Sequence, residues 1–143
     1  KLQLFVMIKI FMIHILMVSK EKIVFKELEA AFSINQITFD WTDTAQNALS
    51  LLSRRKFDLF ITHEQLPDTT GRNLIEKVLF QNAMMNCVVL SALPPKDFHE
   101  AYEGLGVLMQ FPLNPGEKHV LKLLEHLNLI ARIASRTSKP IGE

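Results

Sequence analysis

Side chains that could do acid–base, nucleophilic or metal chemistry stand directly after several apolar runs. His63 and Glu64 follow "FDLFIT", Ser91 ends "NCVVLS", and Ser19 with Lys20 follows "ILMV". An imidazole titrates near neutral pH and is a nucleophile, and together with a carboxylate it can bind a metal ion. A serine with a lysine could form a hydrolytic dyad. Which of these chemistries is open to the chain depends on the elements that position the five residues.

Strand-like and helix-like segments alternate along the chain. Five runs have the length and pattern of strands: one over about Ile10 to Val18, then "QITFDWT", "FDLFIT", "NCVVLS" and "VLMQ". Five stretches carry apolar residues at helical spacing: "SKEKIVFKELEAAFS", which Ser19 could cap, "DTAQNALSLLSRR", "GRNLIEKVLFQ", "PKDFHEAYEG" and "GEKHVLKLLEHLNLIARIA". This alternation predicts an α/β fold with one five-stranded parallel sheet and helices on both faces. The functional crevice of such sheets lies at the carboxyl ends of the strands.

The segment "FDLFITHEQLPDTTGRNLI" keeps a regular frame in which Pro67 and Gly71 follow His63 by four and eight residues. Together with "ILMV", "TAQNALSLL", "VVLSA" and the "FP" at Phe111, this ordered set resembles the receiver domain of two-component response regulators, whose frame is D-L-x-x-x-D-x-x-x-P-x-x-x-G. The resemblance implies a doubly wound, CheY-like fold with strand order 2-1-3-4-5 over residues 13–130. Residues 1–12 would then be an N-terminal extension, and residues 131–143 a tail or linker.

The chain departs from the receiver family at the positions that carry its chemistry. In the family an acidic pair and an aspartate hold Mg²⁺, the aspartate accepts the phosphoryl group, and a lysine and a hydroxyl contact it. The acidic pair falls here on Ser19 and Lys20, the acceptor on His63 and the lysine on Phe111, so that only the hydroxyl of Ser91 remains. The resemblance therefore implies a degenerate domain without metal, cofactor or aspartyl phosphorylation, and not an enzyme.

Several other uses of these residues stay open. His63 could accept a phosphoryl group or sense a small ligand or a proton, but we expect it to fill the vacated pocket and to hydrogen-bond Ser91 or a backbone carbonyl. Because His63 and Glu64 leave a strand in different directions, we expect no metal site between them. A Ser-Lys hydrolase lacks its G-x-S-x-G loop, and another doubly wound enzyme would need a deep polar pocket. We expect His119 and His126, which share a helical face, to be solvated.

The resemblance also implies where partners bind. In receivers the fourth helix, fifth strand and fifth helix make most partner and dimer contacts, which places that face here at about residues 96–102, 108–110 and 118–130. Its apolar candidates are Phe98, Tyr102, Leu108, Val120 and Leu124. We therefore expect a protein–protein interaction or scaffold module in two-component-type signalling. Its partner would be a signalling protein, an output domain in the same chain or a second copy of the chain.

Composition limits the partner and the compartment. With 16 basic and 15 acidic residues among 143, the formal net charge is +1, which indicates no nucleic-acid partner. The single cysteine, Cys87, cannot form an internal disulfide. Its apolar neighbours predict a buried thiol in a reducing compartment, and hence a cytoplasmic protein.

The first 18 residues are unusually apolar. Gln3, Lys9 and His14 interrupt the run, which falls short of the roughly 20 apolar residues that a spanning helix needs, and "VSKEKIV" offers no signal-peptide cleavage site. We expect two strand-length pieces, over about Leu2 to Ile8 and Ile10 to Val18, and no membrane contact. The first piece would be an added strand or a contact segment, with a membrane anchor as the alternative.

Overall fold

A parallel sheet of five strands forms the centre of the molecule. The computed structural model describes the backbone of residues 13–137 and the side chains of residues 13–128. The strands are β1 (His14–Val18), β2 (Thr38–Thr42), β3 (Leu59–His63), β4 (Asn86–Leu90) and β5 (Met109–Phe111). All neighbouring strands run parallel, in the order β2-β1-β3-β4-β5, which confirms the predicted doubly wound topology.

The central strands are mainly apolar because helices cover both faces of the sheet. Successive side chains of β1 point to opposite faces, so that Ile15 and Met17 pack into one hydrophobic layer and Leu16 and Val18 into the other. The same division holds for β3 and β4. Burial on both faces therefore fixes the register of the strands that carry the candidate site residues at their ends.

Five helices connect and cover the strands. They are α1 (Lys26–Ile34), α2 (Ala45–Arg54), α3 (Gly71–Gln81), α4 (Pro95–Ala101) and α5 (Glu117–Thr137). Helices α1 and α5 pack on one face of the sheet, and α2, α3 and α4 pack on the other. None of the helices within residues 13–137 is both long and apolar enough to cross a membrane.

Side-chain caps fix where two of the helices begin. The hydroxyl of Thr44 accepts the N–H of Asn47 at the start of α2, and the hydroxyl of Thr70 accepts the N–H of Asn73 at the start of α3, both at 3.1 Å. Each bond satisfies a backbone donor that the first helical turn leaves without a partner.

The loop after β3 is held tightly against that strand. The N–H of Gly71 donates to the carbonyl of Glu64 at 2.9 Å, and a Cβ atom on Gly71 would lie only 2.6 Å from the carbonyl oxygen of His63. Only glycine allows this approach, which explains the glycine eight residues after His63 in physical terms.

A carboxylate in the same loop reaches across to α2. Asp68 accepts the N–H groups of Ala45 and Gln46, both at 3.0 Å. Slight burial acts to raise the pKa of Asp68, but these hydrogen bonds and the charge of Lys77 outweigh it and hold the pKa below its ordinary value. Asp68 therefore ties the loop to a second helix.

The start of the first helical segment differs from the prediction. A 3₁₀ turn over Lys22–Phe25 precedes α1, and Ser19 does not cap either element because its hydroxyl donates to the carbonyl of Glu21. The strand predicted over Leu2 to Ile8 and the end of the tail lie outside the described residues.

Candidate functional site

The carboxyl ends of the strands bring the positions that the resemblance singled out to one edge of the sheet: Ser19, Lys20, His63, Ser91 and Phe111. Val18 pairs with Thr62, Leu90 pairs with His63 on one side and with Phe111 on the other, and Ser19 and Ser91 follow directly. Two crevices that are lined by described residues open there. The smaller, of about 280 Å³, is lined by Ser19, Lys20, Glu21, Val24, His63 and Gln65. The larger, of about 690 Å³, is lined by residues that include Ser91, Gln110, Phe111 and His119.

Ser19 has no free hydroxyl for chemistry. Its Oγ donates to the carbonyl of Glu21 at 2.7 Å and accepts the indole N–H of Trp41 at 3.1 Å, and the residue is buried. Lys20 is exposed beside it. The hydroxyl is therefore a structural link between the end of β1 and β2, rather than the nucleophile of a Ser-Lys dyad.

His63 is held by its own loop rather than by a neighbouring strand. Its Nδ1 accepts the backbone N–H of Gln65 at 2.9 Å, and the side chain is half-buried at the wall of the smaller crevice. Because Nδ1 is an acceptor in this bond, the neutral ring carries its proton on Nε2. The expected bond to Ser91 or to a backbone carbonyl was wrong: the partner is a backbone amide.

Glu64 takes the place at Ser91 that His63 was expected to fill. Its Oε1 accepts the hydroxyl of Ser91 at 3.0 Å, and its Oε2 accepts the backbone N–H of Ala92 at 3.1 Å. The Ser91 oxygen in turn accepts the N–H of Leu93 at 3.0 Å, and Ser91 is only 2 % exposed. The carboxylate of Glu64 thus occupies both donors at the end of β4, the hydroxyl of Ser91 and the N–H of Ala92.

Gln110 of β5 completes this arrangement. Its amide Nε2 donates to the carbonyls of Ser91 at 3.2 Å and of Leu93 at 2.8 Å. We call Glu64, Ser91 and Gln110 the strand-end clamp, because they join the ends of β3, β4 and β5 through side chains. The clamp holds the loop between β4 and α4 from both sides.

The sequence contained a signal for part of this clamp. Successive residues leaving a strand point to opposite sides, so Glu64 had to turn away from the side that His63 takes. The partner of Glu64 could not be read from the sequence, since it depends on the strand order and on the position of β4. Nothing in the sequence around Gln110 indicated that its side chain would bond the loop after β4.

Phe111 is part of the hydrophobic core at the position where the resemblance implies a lysine. It is 1 % exposed and lies 5.6 Å, between ring centroids, from His119. No cation can therefore reach the crevice from this position. Among the described residues, no group of three or more His, Cys, Asp and Glu side chains could hold a metal ion.

Two other reactive side chains are buried away from the crevices. Burial raises the pKa of the Cys87 thiol to about 12, so that the thiol stays protonated and inert near neutral pH. Burial, with the charge of Glu64, likewise raises the pKa of Tyr102 to about 12.

The predicted interaction surface needs correction. Phe98, Tyr102 and Val120 are buried in the core, the first two with their rings stacked 4.6 Å apart, because α4 and α5 must cover the sheet. Their side chains are not exposed to a partner. Leu108 and Leu124 are half-buried and pack against the core.

His119 also differs from expectation. The N–H of Gly116, just before α5, donates to Nδ1 of His119 at 2.9 Å, and the half-buried ring faces the larger crevice. Burial, together with the charges of Lys118 and Lys122, lowers the pKa of His119. His126 is exposed, as expected.

His14 lies at the opposite edge of the sheet, where β1 begins. Its Nδ1 is 2.6 Å from Thr38 Oγ1 and its Nε2 is 2.6 Å from Asp40 Oδ2, and Arg55 donates to the same carboxylate oxygen at 2.8 Å. These polar contacts join β1, β2 and the end of α2 and are remote from both crevices.

Comparisons with known proteins give a consistent result for the fold. No protein-family model matches the sequence, and no curated protein matches it. Among solved structures, the chain is similar to the signal receiver domain of an HD domain-containing protein from Pseudomonas fluorescens, with a TM-score of 0.73, 21 % identity, and coverage of 90 % of this chain and 94 % of that one.

Two further structures show the same likeness in different contexts. The chemotaxis response regulator CheY4 of Vibrio cholerae has a TM-score of 0.72 and 16 % identity, over 80 % of this chain and 97 % of that one. NtrX from Brucella abortus has a TM-score of 0.75 and 15 % identity, over 87 % of this chain but only 29 % of that one. The chain therefore has the fold of a response regulator receiver domain.

Proposed function

We propose that this chain is a receiver-like domain that is not phosphorylated on a carboxylate and acts as a protein–protein interaction or scaffold module in two-component-type signalling. The observation that carries the proposal is that the polar side chains at the strand ends are already hydrogen-bonded within the chain. An imidazole stands at the end of β3, and its Nδ1 is already bonded to the N–H of Gln65. The hydroxyl of Ser91, at the end of the neighbouring strand, is bonded to the chain's own carboxylate, Glu64.

The chemistry of the crevice argues against a magnesium site. Mg²⁺ requires hard oxygen ligands at close to octahedral geometry. The smaller crevice offers one exposed carboxylate, Glu21, beside a hydroxyl that is already bonded twice, on Ser19, and a cationic side chain, Lys20. Without a bound metal ion, phosphoryl transfer to this crevice lacks the group that orients the phosphoryl oxygens and neutralises most of the developing charge.

The strand-end clamp supports a single loop conformation. Glu64 and Gln110 hold Ser91 and the following residues through four hydrogen bonds of 2.8–3.2 Å. A domain regulated at this loop would need a second arrangement within a few kcal/mol of the first. The clamp favours one arrangement without any added ligand, which suits a constitutive binding module.

The contexts of similar structures support a role inside a larger assembly. One neighbour is the receiver domain of an HD domain-containing protein, and this chain matches less than a third of NtrX. We propose that the partner is an output domain in the same polypeptide or a separate signalling protein, in the cytoplasm, with homodimer formation as a further possibility. Leu108 and Leu124 remain candidate contacts at the rim of the core.

The decisive experiment is phosphorylation with a small donor. We expect acetyl phosphate with Mg²⁺ to leave no label, and beryllofluoride with Mg²⁺ to leave the ¹H–¹⁵N spectrum unchanged. A base-labile acyl phosphate, or chemical-shift changes around His63 and Ser91, would overturn the proposal. An acid-labile label that disappears in a His63→Asn variant would instead assign the phosphoryl group to the imidazole, and the receiver would then be a switch with a different acceptor.

A further inference from the structure

An exposed apolar patch lies at the end of the molecule remote from the two crevices. Phe80 in the last turn of α3 is 93 % exposed, and Met84 in the following turn is 86 % exposed. A groove of about 360 Å³ lies beside Phe80 and is lined by Leu49, Glu76, Lys77, Phe80 and Gln81. We call Leu49, Phe80 and Met84 the lower patch.

The backbone that carries the lower patch is ordered. The N–H of Met84 donates to the side-chain oxygen of Asn82 at 3.0 Å, and the N–H of Asn82 donates to the carbonyl of Val78 at 2.8 Å. Single exposed apolar residues are common on proteins. Two large ones within five residues, both almost fully exposed and one of them beside a groove, form a candidate contact surface.

An apolar segment of the same chain joins the molecule at this end. Helix α3 runs antiparallel to the strands, and only four residues separate its end from the start of β4, so Phe80 and Met84 lie at the edge where the strands begin. Strand β1 begins at His14 on that edge, separated from β4 only by β3. Nine of residues 1–12 are apolar, all except Lys1, Gln3 and Lys9.

The distance from the start of β1 to the lower patch is short compared with the reach of residues 1–12. Two strand spacings of about 4.8 Å and one layer spacing of about 10 Å separate the start of β1 from α3. Twelve residues can span about 40 Å when extended. Half of the segment is therefore enough to reach the patch, and the rest can cover it.

We propose that residues 1–12 fold back onto the lower patch of their own chain and place apolar side chains against Phe80 and Met84. A second copy of the chain is a weaker occupant on physical grounds. An aromatic side chain buries about 150–250 Å², and three side chains fall well short of the roughly 800 Å² per partner of a stable interface. A tethered segment needs far less area, because its local concentration is in the millimolar range.

The test uses the whole chain with a spin label on Ala83→Cys, an exposed position beside the patch that leaves Phe80 and Met84 in place, and ¹H–¹⁵N spectra. Cys87 is fully buried with a pKa of about 12, so the label reacts at the new cysteine. We expect the label to broaden the amide signals of residues 1–12. A label on Lys118→Cys, an exposed position at the start of α5, serves as the matched control and should leave these signals sharp, because it lies in the opposite layer and at the carboxyl ends of the strands.

Two further samples separate the possible occupants. When spin-labelled chains without ¹⁵N are mixed with ¹⁵N chains without a label, we expect no broadening. Broadening in this mixture would mean contact between copies and would overturn the proposal, as would sharp signals in the labelled chain itself. Adding Phe80→Asp to the labelled chain should restore the signals of residues 1–12 without unfolding the domain, because Phe80 is exposed; persistent broadening would exclude Phe80 as the contact.

Discussion

The strand-end clamp makes a quantitative prediction for Glu64. In a Glu64→Ala variant the buried hydroxyl of Ser91 loses its acceptor, whereas the amide of Ala92 is exposed and can bond water instead. Only the loss of the bond to Ser91 therefore contributes fully to the expected loss of stability. A hydrogen bond to a charged group is worth about 1.5–3 kcal/mol, and half-burial of Glu64 places the value at the lower end.

We expect Glu64→Ala to lower the free energy of unfolding by about 2 kcal/mol, measured by urea denaturation. Glu64→Gln keeps one carbonyl acceptor and should lose about half as much. The exposed carboxylate of Glu100 on α4 provides the control, since a Glu100→Ala change should stay within about 0.5 kcal/mol.

A double-mutant cycle with Ser91→Ala isolates the contact. We expect a coupling energy of about 1–2 kcal/mol between Glu64 and Ser91, typical of residues joined by a hydrogen bond. Amide exchange at Leu93 should speed up in the Glu64 variant, because Ser91 accepts that N–H. A coupling below about 0.3 kcal/mol, with unchanged exchange at Leu93, would refute the clamp.

Three further outcomes follow from the structure. Gly71→Ala should destabilise the fold by more than about 1 kcal/mol in urea denaturation, because the new Cβ would lie 2.6 Å from the carbonyl of His63; equal stability would show that the loop moves freely. Burial lowers the pKa of His119, so stability should fall as the pH drops below the ordinary value of about 6.5, and this loss should disappear in His119→Asn. Asp68→Ala should cost about 1 kcal/mol as a lost helix cap at neutral pH, and an unchanged urea midpoint would contradict the bonds to α2.

The sequence determined the elements and their order with little help from tertiary contacts. Helix α3 occupies Gly71–Gln81, the segment predicted from its apolar spacing; β4 lies within its predicted run, and β3 extends one residue beyond its run, to His63. Alternation of strands and helices, with both faces of the sheet buried, leaves few topologies, and the right-handed crossover rule selects among them.

The pairing of side chains at the strand ends was decided only by the tertiary structure. The bond from Ser91 to Glu64 depends on β4 lying beside β3, and the donation by Gln110 depends on β5 lying beyond it. Burial of Phe98, Tyr102 and Val120 depends on how closely α4 and α5 approach the sheet. A local pattern gives the period of an element and the face it buries, but it gives neither the neighbour across the sheet nor the fraction of a helix that remains exposed.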